Sequence, residues 1–548
     1  MSQPRIFRSA RQAGDTRVKL KTRLALGLFI MISVLSAHAQ QGDGISEESV
    51  NALAKRAMSE FDVPGMAIGI IKSNEVVFAQ GFGVREIGKK GGINTETLFK
   101  IASNSKAFTT AALATLVDDG TIAWDGLVID YIPEFRMYDP WVTREFTVTD
   151  LLTHRSGLSP FKGDMLLWPE PNSFTAEDII FALRFFKPVS GFRTKYAYDN
   201  LLYIVGGEII PRVTDKTWGQ LVEERLMRPA GMKRCFADRI PKRQMKNLAV
   251  PHGIIEGELS VIERGRIPAK PPVSAAAGGV ICSLDDMLTW AHIQLNRGTT
   301  PNGKAIFSET QSREMWAPQI LRRVGEREYE LNRTHFRAYG LGWRLADVHG
   351  FKEVSHTGTL AGMKSYMVLI PELELGVVYL SNGSSSASRS SVMNTIVRSF
   401  MPVAQVDWVQ MEIDKREDAR QKALLKAADV DESVVEQEPC KPCREPDLSL
   451  FAGRYRDPWF GDVLIELKDD QLVFSSEKSP KLLGPLSFYE GRQFTIRWID
   501  RSLEADAYIE FELDEDGDVA GMSMSKLDRG DYDFEDLDFT KVEDGRAD

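Results

Sequence analysis

Cysteine is scarce in this chain: four residues in 548, Cys235, Cys282, Cys440 and Cys443. Four is too few to build a disulfide scaffold at this length. The fold must rest on an ordinary apolar core, which a hydrophobic content of 43% can supply. Metal-ligand patterning is missing too. The seven histidines do not pair with carboxylates or cysteines at ligand spacing, and Cys440-Lys-Pro-Cys443 has no second pair to complete a zinc site. No metal or organic cofactor is expected, and Cys440 and Cys443 read as a small local disulfide in a linker. Whether Cys235 and Cys282 pair is left open by their positions.

Basic charge and long apolar runs are equally short. Seven basic residues stand before position 24, followed by an apolar run from Leu24 to Leu35 and the small-x-small site Ala37-His38-Ala39. That order reads as an export signal cleaved after Ala39, so the protein is expected in the periplasm or secreted. The run is too short for a comfortable membrane span. Without residues 1–39 the chain carries 61 basic and 77 acidic residues, net −16, of which −14 falls on 447–548. The body between is near neutral and has no basic patch for nucleic acid, and the acidic end serves solubility. Stable membrane insertion is not expected. Oligomeric state is not legible.

What is present falls into two textures. Residues 40–428 form one domain in which helical and strand patterns mix. A helix covers Ser46 to about Phe61, and two strands follow at Gly65–Lys72 and Glu75–Val84. A mostly helical insertion spans 160–260, and further strands run through Tyr339–Trp343, Val354–Gly362, Ser365–Pro371 and Leu375–Asn382. Residues 391–428 return to helix. The stretch 429–447 is acidic and unpatterned, a linker. Beyond it, 448–545 carries about eight short strands and no evident chemistry, which suggests a small antiparallel barrel or sandwich.

The stretch that organises the rest is Ser103-Asn-Ser-Lys106, opening an apolar helical run to about Asp119 with Gly120 as its stop. Lys106 lies three residues after Ser103, on the same face. A serine hydroxyl is a weak nucleophile until a neighbour takes its proton, and a half-buried lysine amine can do so because desolvation lowers its pKa. Alone, the spacing also fits a helix cap, and Ser-x-x-Lys recurs at Ser159, Ser475 and Ser523, none of which opens a long apolar helix. Partners downstream decide it. Tyr198-Asp199-Asn200 and His356-Thr357-Gly358 follow in that order.

The order Ser-x-x-Lys, Tyr-x-Asn, [Lys/His]-Thr-Gly resembles the penicillin-binding serine hydrolases. Within them it is similar to the class C β-lactamase-like branch, CubicO-type peptidases and esterases included. Leu151-Leu-Thr-His-Arg-Ser-Gly-Leu, Ala277-Gly-Gly-Val and Tyr339-Gly-Leu-Gly-Trp resemble framework signatures of that branch. The likeness covers about 45–400, and 447–545 is similar to the lipocalin-like domain attached to some such hydrolases.

The resemblance implies an α/β (α+β) β-lactamase/transpeptidase-like fold: an antiparallel sheet flanked by helices, a mostly helical subdomain, then the small all-β barrel-like domain. It implies a serine hydrolase acting on a small-molecule or peptide substrate, amide or ester, with D-residue peptides a natural guess. A β-lactamase or D-Ala-D-Ala carboxypeptidase is the first alternative, and a receptor that binds without turnover is the rival of another class. By the resemblance Ser103 attacks, Lys106 accepts its proton, and Asn200 bonds Lys106 and the substrate amide. Tyr198 is a base only if nearby cations favour its phenolate. Thr357, Gly358 and Thr359 form an edge strand, Gly358 permits close substrate approach, and the Thr359 and Ser103 N–H groups make an oxyanion hole. His356 stands where relatives usually carry lysine and is expected to be partly charged at neutral pH. His154 is expected to be structural.

Overall fold

The computed structural model describes Gly42, residues 44–428, 446–527 and 533–542. The expected signal segment, Cys440, Cys443 and most of the expected linker lie outside the described residues.

Eight strands form one fully antiparallel sheet: β1 (Gly65–Lys72), β2 (Glu75–Gly83), β3 (Ile320–Arg322), β4 (Arg337–Tyr339), β5 (Arg344–Val348), β6 (Phe351–Leu360), β7 (Met363–Ile370) and β8 (Leu375–Ser381), in the order β2-β1-β8-β7-β6-β5-β4-β3. The central strands are apolar at nearly every position because both faces are covered. On β1, Met66, Ile68 and Ile70 join a cluster with helices α1 (Glu47–Glu60) and α5 (Ser386–Ser399), while Ala67 and Ile71 face the other way, toward Leu284 and Leu288 of helix α4 (Leu284–Leu295). On β8, Val377 and Tyr379 belong to the first cluster, Val378 and Leu380 to the second. Strand alternation thus assigns each residue to one of two cores. Each large side chain taken wholly out of water contributes about 1.5–3 kcal/mol.

On the α4 side lies the helical part. Helix α2 (Ser105–Asp118) is buried on all its faces from Ser105 to Leu116, among helix α3 (Leu201–Val213), Trp218–Val222, Glu309–Met315 and Ala275–Gly278. A small sheet of Phe99–Lys100, Ile281–Cys282 and Cys235–Phe236 leads into it, and Cys235 and Cys282, register partners there, are joined by a disulfide. The expected helix over 391–428 is in fact two, α5 and Trp408–Ala428.

The C-terminal strands, β9 (Gly453–Asp457), β10 (Gly461–Lys468), β11 (Gln471–Ser476), β12 (Leu483–Glu490), β13 (Gln493–Ile496), β14 (Ala507–Leu513), β15 (Val519–Lys526) and β16 (Asp538–Val542), close into a barrel in sequential order, β9 pairing with β16. Tyr455, Phe474, Phe494, Trp498 and Phe511 are buried in it. The expectation of a barrel or sandwich resolves to a barrel. Phe174 and Phe186 of the helical part meet Phe460 and Trp459 of the barrel with ring centroids 5.4 and 5.1 Å apart.

Candidate active site

Ser103 does not open the long helix, as the pattern suggests. It sits one turn earlier, in a 3-10 turn over Ala102–Asn104. Ala102 is held at φ 49°, a left-handed conformation that costs an L-residue about 1–2 kcal/mol. Neighbours pin this turn. The Asn104 amide donates to Ser365 Oγ at 2.7 Å, Ser365 Oγ donates to the Ile101 carbonyl at 2.6 Å, and the Val280 N–H donates to Ser105 Oγ at 3.0 Å. Ser103, half-buried, is thereby presented at the mouth of the helix.

Lys106, on the first turn of α2, is wholly buried. Its Nζ donates to Asn200 Oδ1 at 2.7 Å and to the Ala277 carbonyl at 2.9 Å, and lies 3.4 Å from Ser103 Oγ. Burial pushes its pKa down to about 7; Asp164 and Asp199 oppose that shift without cancelling it, and Arg344 adds to it. A neutral amine has two N–H donors and one lone pair. With both donors aimed at carbonyl oxygens, the lone pair is left for the Ser103 proton.

Tyr198 packs against this group, its ring centre 4.9 Å from Lys106 Nζ. Burial raises the phenol to about 12, outweighing the opposing pull of Arg344 and of the Ser103 hydroxyl beside it. The condition set for a phenolate base is not met: Tyr198 is a neutral phenol, and its buried hydroxyl has no complete hydrogen bond among the described residues. Asp199 is engaged at the start of α3. Its Oδ1 accepts the Leu202 N–H at 3.0 Å at the start of α3, and its own N–H donates to His154 Nδ1 at 3.0 Å. His154 is wholly buried, its ring 4.3 Å from that of Tyr198, in keeping with a structural part.

His356 corrects another expectation. It is wholly buried; Nε2 is 2.9 Å from the Tyr339 hydroxyl and Nδ1 2.7 Å from the Thr357 carbonyl. Burial, with Arg344 and Lys106 nearby, holds its pKa well below the ordinary value, so it is neutral rather than partly charged at neutral pH. With both nitrogens engaged it orients Tyr339 and strand β6 and has no free edge for substrate.

Strand β6 pairs with β5 only as far as Ser355, opposite Arg344. From His356 to Leu360, which includes Thr357, Gly358 and Thr359, it pairs on one side with β7 and, among the described residues, with no strand on the other. Gly358 is needed for packing more than for substrate approach. A Cβ there would lie 2.2 Å from the Ile101 carbonyl and 2.2 Å from Ser365 Oγ, so only glycine lets the strand close on the turn that carries Ser103. Gly342 plays a similar part at φ +79°, where a Cβ would meet the Lys106 carbonyl at 3.0 Å.

Spacing gave no sign of three further side chains. Arg344 Nη1 donates to Thr357 Oγ1 at 2.6 Å, and Arg389 Nη1 donates to the Gly358 carbonyl at 2.7 Å and to Thr359 Oγ1 at 3.1 Å. The Nε of each guanidinium is buried without a hydrogen-bond partner among the described residues. Asp164 Oδ2 accepts from Asn200 Nδ2 at 2.8 Å. The hint for Arg344 was its place directly after the Tyr339–Trp343 signature; Arg389 and Asp164 carried none. Among the described residues no group of three or more His, Cys, Asp or Glu is arranged to hold a metal ion. No described helix is long and apolar enough to cross a membrane.

Comparison with known proteins gives the family. The unguisins hydrolase ungD' of Aspergillus campestris is 24% identical over 506 residues, covering 88% of this chain and 90% of that protein. Penicillin-binding protein 4 of Amycolatopsis lactamdurans is 25% identical over 344 residues, 60% of this chain and 84% of that protein. The octameric penicillin-binding protein homologue from Pyrococcus abyssi shares the fold, with a TM-score of 0.56 at 21% identity, covering 91% of this chain and all of that one. Residues 441–541 match a domain of unknown function, DUF3471. The β-lactamase family model matches residues 50–400, more than half the chain, and the protein belongs to the β-lactamase family.

Proposed function

We propose that the protein is an exported serine hydrolase that works through an acyl-enzyme on Ser103. The observation that carries this reading is the Lys106 amine, buried, with its two strong hydrogen bonds directed at Asn200 and Ala277 and its nitrogen 3.4 Å from Ser103 Oγ. As the substrate carbonyl arrives, Ser103 Oγ bonds to its carbon and the hydroxyl proton passes to Lys106 Nζ. The carbonyl oxygen becomes an oxyanion, held by the backbone N–H groups of Ser103 and Thr359; each such donor is worth about 3–4 kcal/mol. Tyr198, a neutral phenol, hands its proton to the departing amine or alkoxide and recovers one from Lys106. Water then repeats the sequence on the acyl-enzyme and restores Ser103.

Arg344 and Arg389 bear on substrate class. A half-buried guanidinium beside the strand that receives substrate suits a carboxylate, a role neutral His356 cannot take. Small peptides or amides with a free carboxylate, D-residue peptides among them, fit best, with esters second. A hydrolase and a penicillin-binding protein among the relatives support the hydrolase reading. Within the family, the His356-Thr-Gly motif supports a reading as a CubicO-type peptidase or esterase. Export rests on the N-terminal pattern, and the Cys235–Cys282 disulfide suits an oxidising compartment. The test is intact-protein mass after exposure to a fluorophosphonate, beside Ser103→Ala. One adduct on the wild type and none on the variant supports the reading and opens an ester, D-peptide and β-lactam panel. No adduct on either removes it in favour of a binding protein without turnover.

A further inference from the structure

The segment 159–178 touches the nucleophile's machinery on one side and the barrel on the other. On the inner side, the Phe161 N–H donates to the Tyr198 carbonyl at 2.7 Å, and Asp164, in a 3-10 turn over Asp164–Leu166, accepts from Asn200 Nδ2 at 2.8 Å. That bond decides which way the Asn200 amide faces. With Nδ2 turned to Asp164, Oδ1 faces Lys106 Nζ at 2.7 Å. Turned over, Asn200 would set N–H against N–H and leave Lys106 without its acceptor.

On the outer side the same segment is fastened to the barrel. Lys162 Nζ is paired with Asp536 Oδ1, from the turn Phe534–Asp536 between β15 and β16. The Ser173 N–H donates to the Lys478 carbonyl at 2.8 Å, Lys478 Nζ reaches Asp178 Oδ1 at 2.6 Å, and the Phe174 ring packs tilted against that of Phe460. The Lys162–Asp536 pair is only 18% and 12% exposed, so water does little to weaken it.

We infer that the barrel is part of the active site's framework: through Asp536 and Lys162 it holds Asp164, and Asp164 is a positioning residue that sets the Asn200 amide toward Lys106. The inference rests on the acyl-enzyme reading above. Asp164 acts through its accepting oxygen rather than its charge. Oδ1 is buried with no hydrogen-bond partner among the described residues, and burial pushes the carboxyl well above its ordinary range.

The test measures the second-order rate of Ser103 labelling by a fluorophosphonate in the full-length chain. It compares wild type, Asp164→Asn, Asp164→Leu, Asp536→Ala and the double variant Asp164→Leu/Asp536→Ala, with thermal melts to show that each is folded. Asp164→Asn keeps an accepting oxygen and is expected to label within about threefold of wild type, whereas Asp164→Leu slows labelling at least about tenfold. Asp536→Ala slows it about three- to tenfold, and the double variant is no slower than Asp164→Leu, because both changes break one chain of contacts. Labelling of Asp536→Ala at the wild-type rate, losses that multiply in the double variant, or Asp164→Asn as slow as Asp164→Leu each overturns the inference. If Asp164→Leu does not fold, the Asp536→Ala and Asp164→Asn rates decide it alone. A wild type that does not label fails the acyl-enzyme reading itself, and this inference falls with it.

Discussion

Lys106 differs from a surface lysine in where its protons can go. Its burial leaves a neutral amine as the favoured form above about pH 7, with its N–H donors directed at the Asn200 and Ala277 carbonyl oxygens. Arg344 differs in another way, since its Nε–H has no hydrogen-bond partner among the described residues. Arg344→Met is therefore expected to raise KM for carboxylate-bearing substrates about 10–100-fold while leaving neutral esters within about threefold, because a charge-assisted hydrogen bond contributes about 1.5–3 kcal/mol. Steady-state kinetics on a matched acid and methyl-ester pair reads this directly, and equal losses on both would refute it. At this scale the sequence was half legible. Ser103, Lys106, Tyr198 and Asn200 stood out because they come in an ordered set of short motifs, and the fold does bring them together. Asp164 and Arg389 reach the site from places with no motif spacing, and the Ala277-Gly-Gly-Val signature gave no sign that its first carbonyl would face Lys106. The state of His356 depends on how deeply Tyr339 and β6 bury it, which no residue pattern encodes.

Elements hold these side chains in place. Strand β6 closes on the Ala102–Asn104 turn only because position 358 has no Cβ. Gly358→Ala must drive the strand away from Ile101 and is expected to cut the fluorophosphonate labelling rate at least about 100-fold; a rate within tenfold of wild type would show that the strand yields. The turn itself hangs from the sheet Phe99–Lys100, Ile281–Cys282 and Cys235–Phe236, so the disulfide braces the base of the nucleophile. Strand alternation and the helical periods are legible in the amino-acid sequence because burial on one or two faces writes itself into residue order. The start of α2 is not. Ser103 keeps the helical spacing to Lys106, yet the strained φ of Ala102 tightens the first turn, a consequence of Gly358 and Ser365 pressing on it from another part of the chain.

Across the whole molecule, one apolar cluster runs from α2 through Phe174 and Phe186 into the barrel by way of Trp459 and Phe460. Barrel and β-lactamase-family body are therefore expected to unfold together. In urea, far-UV circular dichroism and loss of fluorophosphonate labelling should share one midpoint, and two separated transitions would contradict a shared core. The acidic balance of 447–548 predicted solubility and gave no hint of this contact, since Asp536 and Lys478 make their pairs with residues three hundred or more positions away. Everything proposed for catalysis depends on a neutral Lys106 drawing the proton from Ser103. The rate of fluorophosphonate labelling from pH 5 to pH 9 tests that most directly, beside Lys106→Met and Ser103→Ala. A protonated Lys106 has no lone pair, so the rate should be low at pH 5 and rise to a plateau with a midpoint near 7. It should fall at least about 100-fold in Lys106→Met and vanish in Ser103→Ala. A flat profile, or Lys106→Met labelling as fast as wild type, would contradict it.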